Sequence, residues 1–454
     1  MTPPDERLDR HGLWVLFATL GVLVAVTVPW LGSDPWPFRP PHVDPQGVLG
    51  PLVRAADREW DLGLIRSAAV LAGVLVALAV AVAWRWTTWP RWTAVGLAGV
   101  VAAMLLVPAT LLQVGLRDAT EPWYHTNDST YQIELAGDLI LDGENPYGHD
   151  YEGSGLERFY PAVDAPRDLP QVALTHFAYF PGTALSAAAW RVLPSPFDDY
   201  RLFVMLATLA LLPAALVFPG PLAWKLPVGA ALAANPLLVR GSWFGTADAP
   251  SLLALVLAFA LVLRGRLYWA AAALGIAISL KQFALVAVPF LAVMLLILGV
   301  PRRTIWRAGA LAAGIVVATA LPFLLADPKA LWDDTIAYGA DTYRIVGYGL
   351  SNLLLNLGVI DDRFGYYPFL PLAILIWLPI TAWLLISQRR DGRLWPGAAA
   401  FAVSMFLLLF ISRVFQTSYL AWPLVGAGLA FLLAASSRAP RREPFGSAST
   451  ARTG

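Results

Sequence analysis

Residues 267–300 read LYWAAAALGIAISLKQFALVAVPFLAVMLLILGV, and Lys281 is the single charged side chain in the run. A helix that crosses a bilayer takes about 17–25 predominantly apolar residues. The run is therefore predicted to supply two crossings, over 267–281 and 283–299, that meet at the lysine. An ammonium at the bilayer centre costs about 2.5–3.5 kcal/mol on insertion scales. Lys281, one of only three lysines, must then lie near an interface, face an anionic partner, or carry its charge out to water on its apolar stem.

Working outward with the same criterion, further candidate spans fall at about 13–31, 64–84, 93–115, 173–194, 202–219, 222–239, 246–263, 308–325, 368–387, 396–412 and 418–436. With 58% apolar and 14% charged residues among 454, the chain lies outside the range of soluble domains. An all-α polytopic membrane protein is expected, with residues 1–436 as one transmembrane domain. Such a composition excludes nucleic acid and soluble acidic molecules as partners. There is no cysteine, hence no disulfide framework, thiolate metal site or cysteine nucleophile, and chemistry falls to carboxylates, cations, His and Tyr. Residues 13–31 follow Arg7 and Arg10 as the apolar part of a secretory signal would, but no small-residue cleavage pattern follows in PWLGSDPW. An uncleaved first span is expected.

The net charge of +1 hides a segregation. Arginines gather in short loops at Arg85/Arg91, Arg264/Arg266, Arg302/Arg303/Arg307, Arg389/Arg390/Arg393 and in the tail from Arg438 to Arg442. The positive-inside bias assigns these loops to the cytoplasm, which puts 32–63, 116–172 and 326–367 on the extracytoplasmic side of a cell membrane. Between residue 172 outside and Arg264 inside, four candidate spans stand where an odd number of crossings is required. One must be short, broken or re-entrant, either in the pair around Lys225 or at the Pro-interrupted start near 173, since irregular backbone at membrane depth has to line protein. The tail 437–454 is Arg, Ser and Pro rich and is expected to be a disordered cytoplasmic end.

Residues 116–172 carry twelve of the 31 acidic residues against Arg117, Arg158 and Arg167. Loops of this length between spans more often hold function than merely connect. Residues 125–148, HTNDSTYQIELAGDLILDGENPYG, predict an amphipathic juxtamembrane helix over about 130–142. Ser129 with Gln132 fits a capping box and Gly143 a C-terminal stop. Ile133, Ala136, Leu139 and Ile140 fall at helical spacing and face the membrane surface, with Glu134 and Asp138 on the wetter side. Asp128 stands at the start of this helix, either as its cap or as a base for a substrate hydroxyl. Asp138 and Asp142 read as a solvated face. NPYGHDY at 145–151 is a turn whose tyrosines either stack on a sugar or anchor at the interface. His125 and Asp128 are three apart but lack a second close His or Cys, so no metal site is expected.

Isolated polar residues recur at the same predicted face. Arg240 and Asp248 flank a turn in VRGSWFGTADAPSLL, where Asp248 before Pro250 also suits a helix cap. Arg413 ends a span in FISRVFQTSYLAWP, and His176 and Tyr179 precede Phe180-Pro181. Asp128, Lys281, Arg240 and Arg413 then share one side of the bilayer, where an anionic lipid head group fits among them.

The order of these pieces resembles the polyprenyl-phosphate-sugar-dependent glycosyltransferases of the GT-C superfold, and within it the actinobacterial mannosyltransferases of glycosyltransferase family 87. The resemblance covers about 93–436 and rests on LILDGENPY (139–147), YFPG (179–182), FGTAD (244–248), GIAISLKQFALVAVP (275–289) and RVFQTSYLAWP (413–423). It implies a GT-C bundle of about 12–13 transmembrane helices, with the two spans in 1–92 added before a common core. It also implies transfer of a hexose, expected to be mannose, from a polyprenyl-phosphate carrier to a lipid or glycan acceptor outside the cytoplasm, with no cofactor beyond that donor and no metal. Asp128 is the implied base, with Lys281, Arg413 and Arg240 as donor phosphate partners and Tyr131, Tyr147, His176, Tyr179 and Asp248 as substrate contacts. The residue chemistry agrees: phosphate leaves readily and needs no general acid, so one base and a few cations suffice. A lipid or sugar transporter or flippase is the competing expectation, since it too carries charges within spans. The absence of an inverted pair of Gly/Pro-broken helices in matching halves counts against it.

Overall fold

The computed structural model describes residues 7–31, 46–57, 63–83, 88–160 and 172–436. Among these, eight helices are long and apolar enough to cross a membrane: Arg10–Trp30, Ile65–Ala83, Arg91–Asp118, Tyr200–Val217, Leu222–Phe244, Arg302–Ala326, Phe369–Asp391 and Thr417–Ser436. Four shorter apolar helices accompany them, Asp248–Leu263, Leu267–Leu280, Gln282–Ile297 and Trp395–Ile411. The chain is an all-α polytopic membrane protein. Strand structure among the described residues is limited to an antiparallel pair, Arg7–Asp9 with Thr88–Pro90, and a parallel pair, Val346–Gly347 with Val414–Phe415. The tail 437–454, Arg85 and most of 32–63 lie outside the described residues.

Lipid offers the backbone no hydrogen bonds, so each crossing must satisfy its own. The Leu222–Phe244 crossing shows how a break is repaired. Its helix stops at Ala234 and restarts at Pro236, whose missing N–H is one a helix start does not need. The Asn235 side chain serves both ends, donating to the Ala231 and Leu232 carbonyls and accepting from Leu238 N at 3.1 Å. This crossing and Tyr200–Val217 are central, 61% buried, whereas Arg302–Ala326 and Phe369–Asp391 are peripheral at 17% and 6%.

The arginine-rich loops gather at one end of the bundle, where Arg264 Nε donates to Val217 O at 2.7 Å and Ser436 Oγ to Pro219 O. Trp92, Trp269 and Trp306 are exposed beside the arginines of that end, as in an interfacial aromatic belt. The acidic segments lie at the opposite end. There the odd-crossing requirement is met at one of the two places it pointed to. The span expected at 173–194 is a helix only over Pro181–Arg191, about 16 Å long against a hydrocarbon core of about 30 Å. It packs instead on the loop helix Asp128–Leu141, where a Cβ on Gly137 would stand 2.8 Å from Ala188 N. Three crossings then remain between the acidic loop and Arg264.

The two crossings expected to meet at Lys281 do so through a true break. Helix Leu267–Leu280 ends, Lys281 is extended (φ −153°, ψ 125°), and a 3₁₀ segment Gln282–Ala287 precedes helix Val288–Ile297. Fourteen residues rise about 21 Å, so Lys281 sits below the acidic end rather than on its surface. The carbonyl of Leu280, orphaned by the break, accepts the Thr183 hydroxyl, and Gly182 lies against Ser279 so closely that a Cβ would come within 2.6 Å. The short helix thus stands on the break.

Candidate functional site

Asn127 caps the loop helix: its backbone is extended and its Oδ1 accepts from Thr130 N at 2.8 Å. The capping box expected of Ser129 and Gln132 does not form. Ser129 Oγ meets the Tyr179 hydroxyl, and the Gln132 amide donates to the carbonyls of Ala173 and His176. Gly143 stops the helix as expected, at φ 82°, with Glu144 N donating to Leu139 O at 2.8 Å. Asp128 is therefore the first helical residue rather than the cap. Its Oδ1 takes the N–H of Ser129 at 2.9 Å and its Oδ2 the hydroxyl of Tyr160 at 2.8 Å, and the side chain is half-buried.

The expectation that Glu134 faces water is overturned. Glu134 is buried, with Oε2 against Arg117 Nη2 at 2.5 Å and Oε1 accepting from Tyr200 N at 2.8 Å. Arg117 also reaches Asp199 at 3.0 Å and the Pro122 carbonyl at 2.7 Å. Arg201 completes the group, bonded through Nε and Nη2 to Asp199 and otherwise to the carbonyls of His125, Trp243 and Gln113. Burial opposes ionisation of Asp199, but Arg201 and Arg117 outweigh it and hold this carboxyl below its ordinary range. The amphipathic pattern misassigned Glu134 because the cation it meets comes from the end of a span. Asp138 and Asp142 do lie toward solvent, Asp138 paired with Arg191 at 2.9 Å. A cavity of about 370 Å³ opens here among Arg117, Asp118, Tyr131, Asp138, Arg191 and Asp198; Asp128, Asp248 and Lys281 do not line it.

Thr130 fastens the start of the loop helix to the next element of the site, donating to Gly245 O at 2.6 Å. Gly245 adopts φ 102° and ends helix Pro236–Phe244, three residues before Asp248. Asp248, 2% exposed, accepts on Oδ1 both from Lys281 Nζ at 2.6 Å and from Trp422 Nε1 at 2.8 Å. Its Oδ2 is buried and has no hydrogen-bond partner. Lys281 is 7% exposed, with its ammonium 5.1 Å from the Tyr419 ring centre and 5.3 Å from that of Phe283. Of the ways Lys281 was expected to settle its charge, an anionic partner is the one realised, and that partner is Asp248.

The other candidates fall into three groups. Tyr179 borders Asp128 through Ser129, and His176 stacks at 4.9 Å on Tyr338 of the second acidic segment. Tyr131, Tyr147 and Arg413 are buried and turned to backbone carbonyls. Tyr131 donates to Ser154 O at 2.6 Å, Tyr147 to Tyr179 O at 2.8 Å, and the Arg413 guanidinium to the carbonyls of Tyr343, Gly365 and Arg363. Arg413 thereby ties the second acidic segment to the end of helix Trp395–Ile411. Arg240 lies 4.7 Å over the Phe244 ring, half-buried.

Tyr160 and Asp334 are among the contributors that went unread in the sequence. Tyr160 holds Asp128 from 32 residues away. A π-helix, Asp333–Thr342, brings Asp334 Oδ2 to accept from both Gly148 N at 2.9 Å and Phe177 N at 3.1 Å, clamping the second acidic segment onto the first. Burial raises the Asp334 carboxyl above its ordinary range, against the pull of those two N–H bonds. Burial, with the Asp128 charge adding to it, holds Tyr160, Tyr179 and Tyr338 well above the usual phenol range. No protein-family model, curated protein or solved structure matches the chain.

Proposed function

We propose that the chain is an integral membrane glycosyltransferase of GT-C type, like those of family 87, that moves a hexose, mannose by that resemblance, from a polyprenyl phosphate to a hydroxyl of a lipid or glycan acceptor on the extracytoplasmic side. The observation that carries the reading is Asp128: a carboxylate at the start of a helix it does not cap, held by one phenol and bordered by others, at the same end of the bundle as Lys281. In this mechanism Asp128 takes the proton of the acceptor hydroxyl. The oxygen attacks the anomeric carbon from the side opposite the phosphate, and the carbon–oxygen bond to phosphate breaks with its electron pair leaving on the phosphate. One displacement inverts the anomeric centre. Lys281 meets the charge that grows on the leaving group, and phosphate leaves without the acid that a glycosidase needs. His176 and Tyr179 are the proposed sugar contacts, with Arg240 as a second cation. Arg413, Tyr131 and Tyr147 act by holding the segments in place. Incubating membranes that contain the chain with radiolabelled polyprenyl-phosphate-mannose and a lipid extract tests the reading. Label should move to a new product, and its absence across lipid and glycan acceptors would end it.

A further inference from the structure

Asp248 is bonded unevenly. Both of its internal donors, the Lys281 ammonium and the Trp422 indole, converge on Oδ1, and Oδ2 is left buried with nothing to accept from. An ionised oxygen withdrawn from water and left unmatched is among the costlier features a fold can keep. Here it persists beside a lysine whose ammonium has three N–H groups, one of them directed at Oδ1. Two fixed donors on one oxygen also stop the carboxylate from turning, so Oδ2 keeps one orientation. Tyr179 and Tyr419 each lie within electrostatic reach of both Asp248 and Asp128. Tyr419 stands beside the pair, its ring centre 5.1 Å from the Lys281 ammonium, and Tyr179 stands beside Asp128 through Ser129.

We propose that Asp248 accepts a hydroxyl of the ligand's head group on Oδ2 while Lys281, held on Oδ1, directs its remaining N–H groups to the adjoining phosphate. The pair then recognises a hydroxylated group joined to a phosphate, rather than phosphate alone. This rests on the glycosyl-transfer reading and adds to it the group that distinguishes a loaded carrier from the spent one. Both carriers present a phosphate to Lys281, and only the loaded one presents a sugar hydroxyl to Oδ2, so the hydroxyl supplies the preference.

The test measures binding to the full chain in lipid nanodiscs, using polyprenyl phosphate, polyprenyl-phosphate-mannose and the four singly deoxygenated mannose donors, at positions 2, 3, 4 and 6. Wild type should favour the mannosylated carrier over the bare one. One deoxy donor should bind about tenfold or more weaker than the parent, the size of a lost charge-assisted hydrogen bond. In Asp248→Asn, whose amide oxygen stays with Lys281 and Trp422 and whose Nδ2 replaces the charged acceptor, that deoxy penalty should shrink to that of a neutral hydrogen bond or vanish, while affinity for bare polyprenyl phosphate holds or rises. Trp422→Phe, which touches only Oδ1, should leave the penalty in place. If all four deoxy donors bind wild type like the parent, Oδ2 reads no sugar hydroxyl and the inference fails, whether or not the Asn variant folds. A penalty of undiminished size in Asp248→Asn assigns the hydroxyl to another residue and fails it too. Binding of neither carrier by wild type would instead remove the glycosyl-transfer reading on which it stands.

Discussion

Two groups of buried charge lie at the acidic end of the bundle and are built on opposite terms. Around Arg117, Glu134, Asp199 and Arg201, two positive charges meet two negative ones, and both oxygens of each carboxylate are bonded. Around Asp128, Asp248 and Lys281 the matching is incomplete: Asp248 keeps an unpartnered oxygen, and Asp128 is half-buried with a phenol on one side. The difference teaches where to look for structure and where for function. A fully satisfied network positions the loop helix, and a partly satisfied one leaves acceptors and donors for something else.

That contrast can be broken by substitution. Asp128→Asn keeps the size of the side chain and should lower transfer about 10²- to 10⁴-fold, the usual contribution of a general base, with thermal unfolding unchanged because Asn127 carries the cap. Radiolabel transfer and a melting curve on the same sample check both halves, and near-normal turnover removes Asp128 from the chemistry. Arg201→Met should act the other way round. Removing one partner of a buried pair costs about 3–5 kcal/mol, so the protein should melt far lower in detergent and lose activity only with the fold. An unchanged melting temperature would mean that the network is not a scaffold.

Smaller changes sharpen the comparison. Tyr160→Phe removes one hydrogen bond to Asp128, worth about 1.5–3 kcal/mol to a charged group, and should cut turnover roughly tenfold with donor affinity unaltered; a loss confined to donor affinity contradicts it. Asp334→Asn should have the mildest effect, seen in pH dependence. Burial raises the folded Asp334 carboxyl above its ordinary range, so the folded protein keeps a proton that the unfolded chain has already released. The stability from this group is complete below the ordinary carboxylate value and is lost as pH rises through the raised one. Melting temperature followed through that window should fall less steeply in Asp334→Asn than in wild type, and parallel curves would show that Asp334 does not titrate there.

The crossings were legible because hydropathy is local: each apolar run carries its own evidence, and the arginine loops order the ends. Residues 173–194 misled because composition alone does not separate a short helix with an irregular lead-in from a span, although the parity of crossings pointed to it. The loop helix was placed within two residues, but its cap was displaced from Ser129 to Asn127, since both residue types suit the position. The pairings were not legible. Asp248 and Lys281 are 33 residues apart and Arg117 and Asp199 are 82, and no spacing rule joins residues brought together only by helix packing. For the same reason Glu134 looked wet, and Asp334 and Tyr160 drew no notice.

The eleven residues Pro181–Arg191 do more than resolve the count of crossings. One side of this helix receives Gly137 of the loop helix at Ala187 and Ala188, and its first turn rests on Ser279 and Leu280 at the break before Lys281. Asp128 and Lys281 are thus mounted on either side of one rigid body, in contacts so close that glycine is the residue at each. The helix works as a gauge block. A single methyl group at Gly137 or Gly182 would press on the backbone of its neighbour, at Ala188 or at Ser279, and so shift Asp128 relative to Lys281 without touching either side chain.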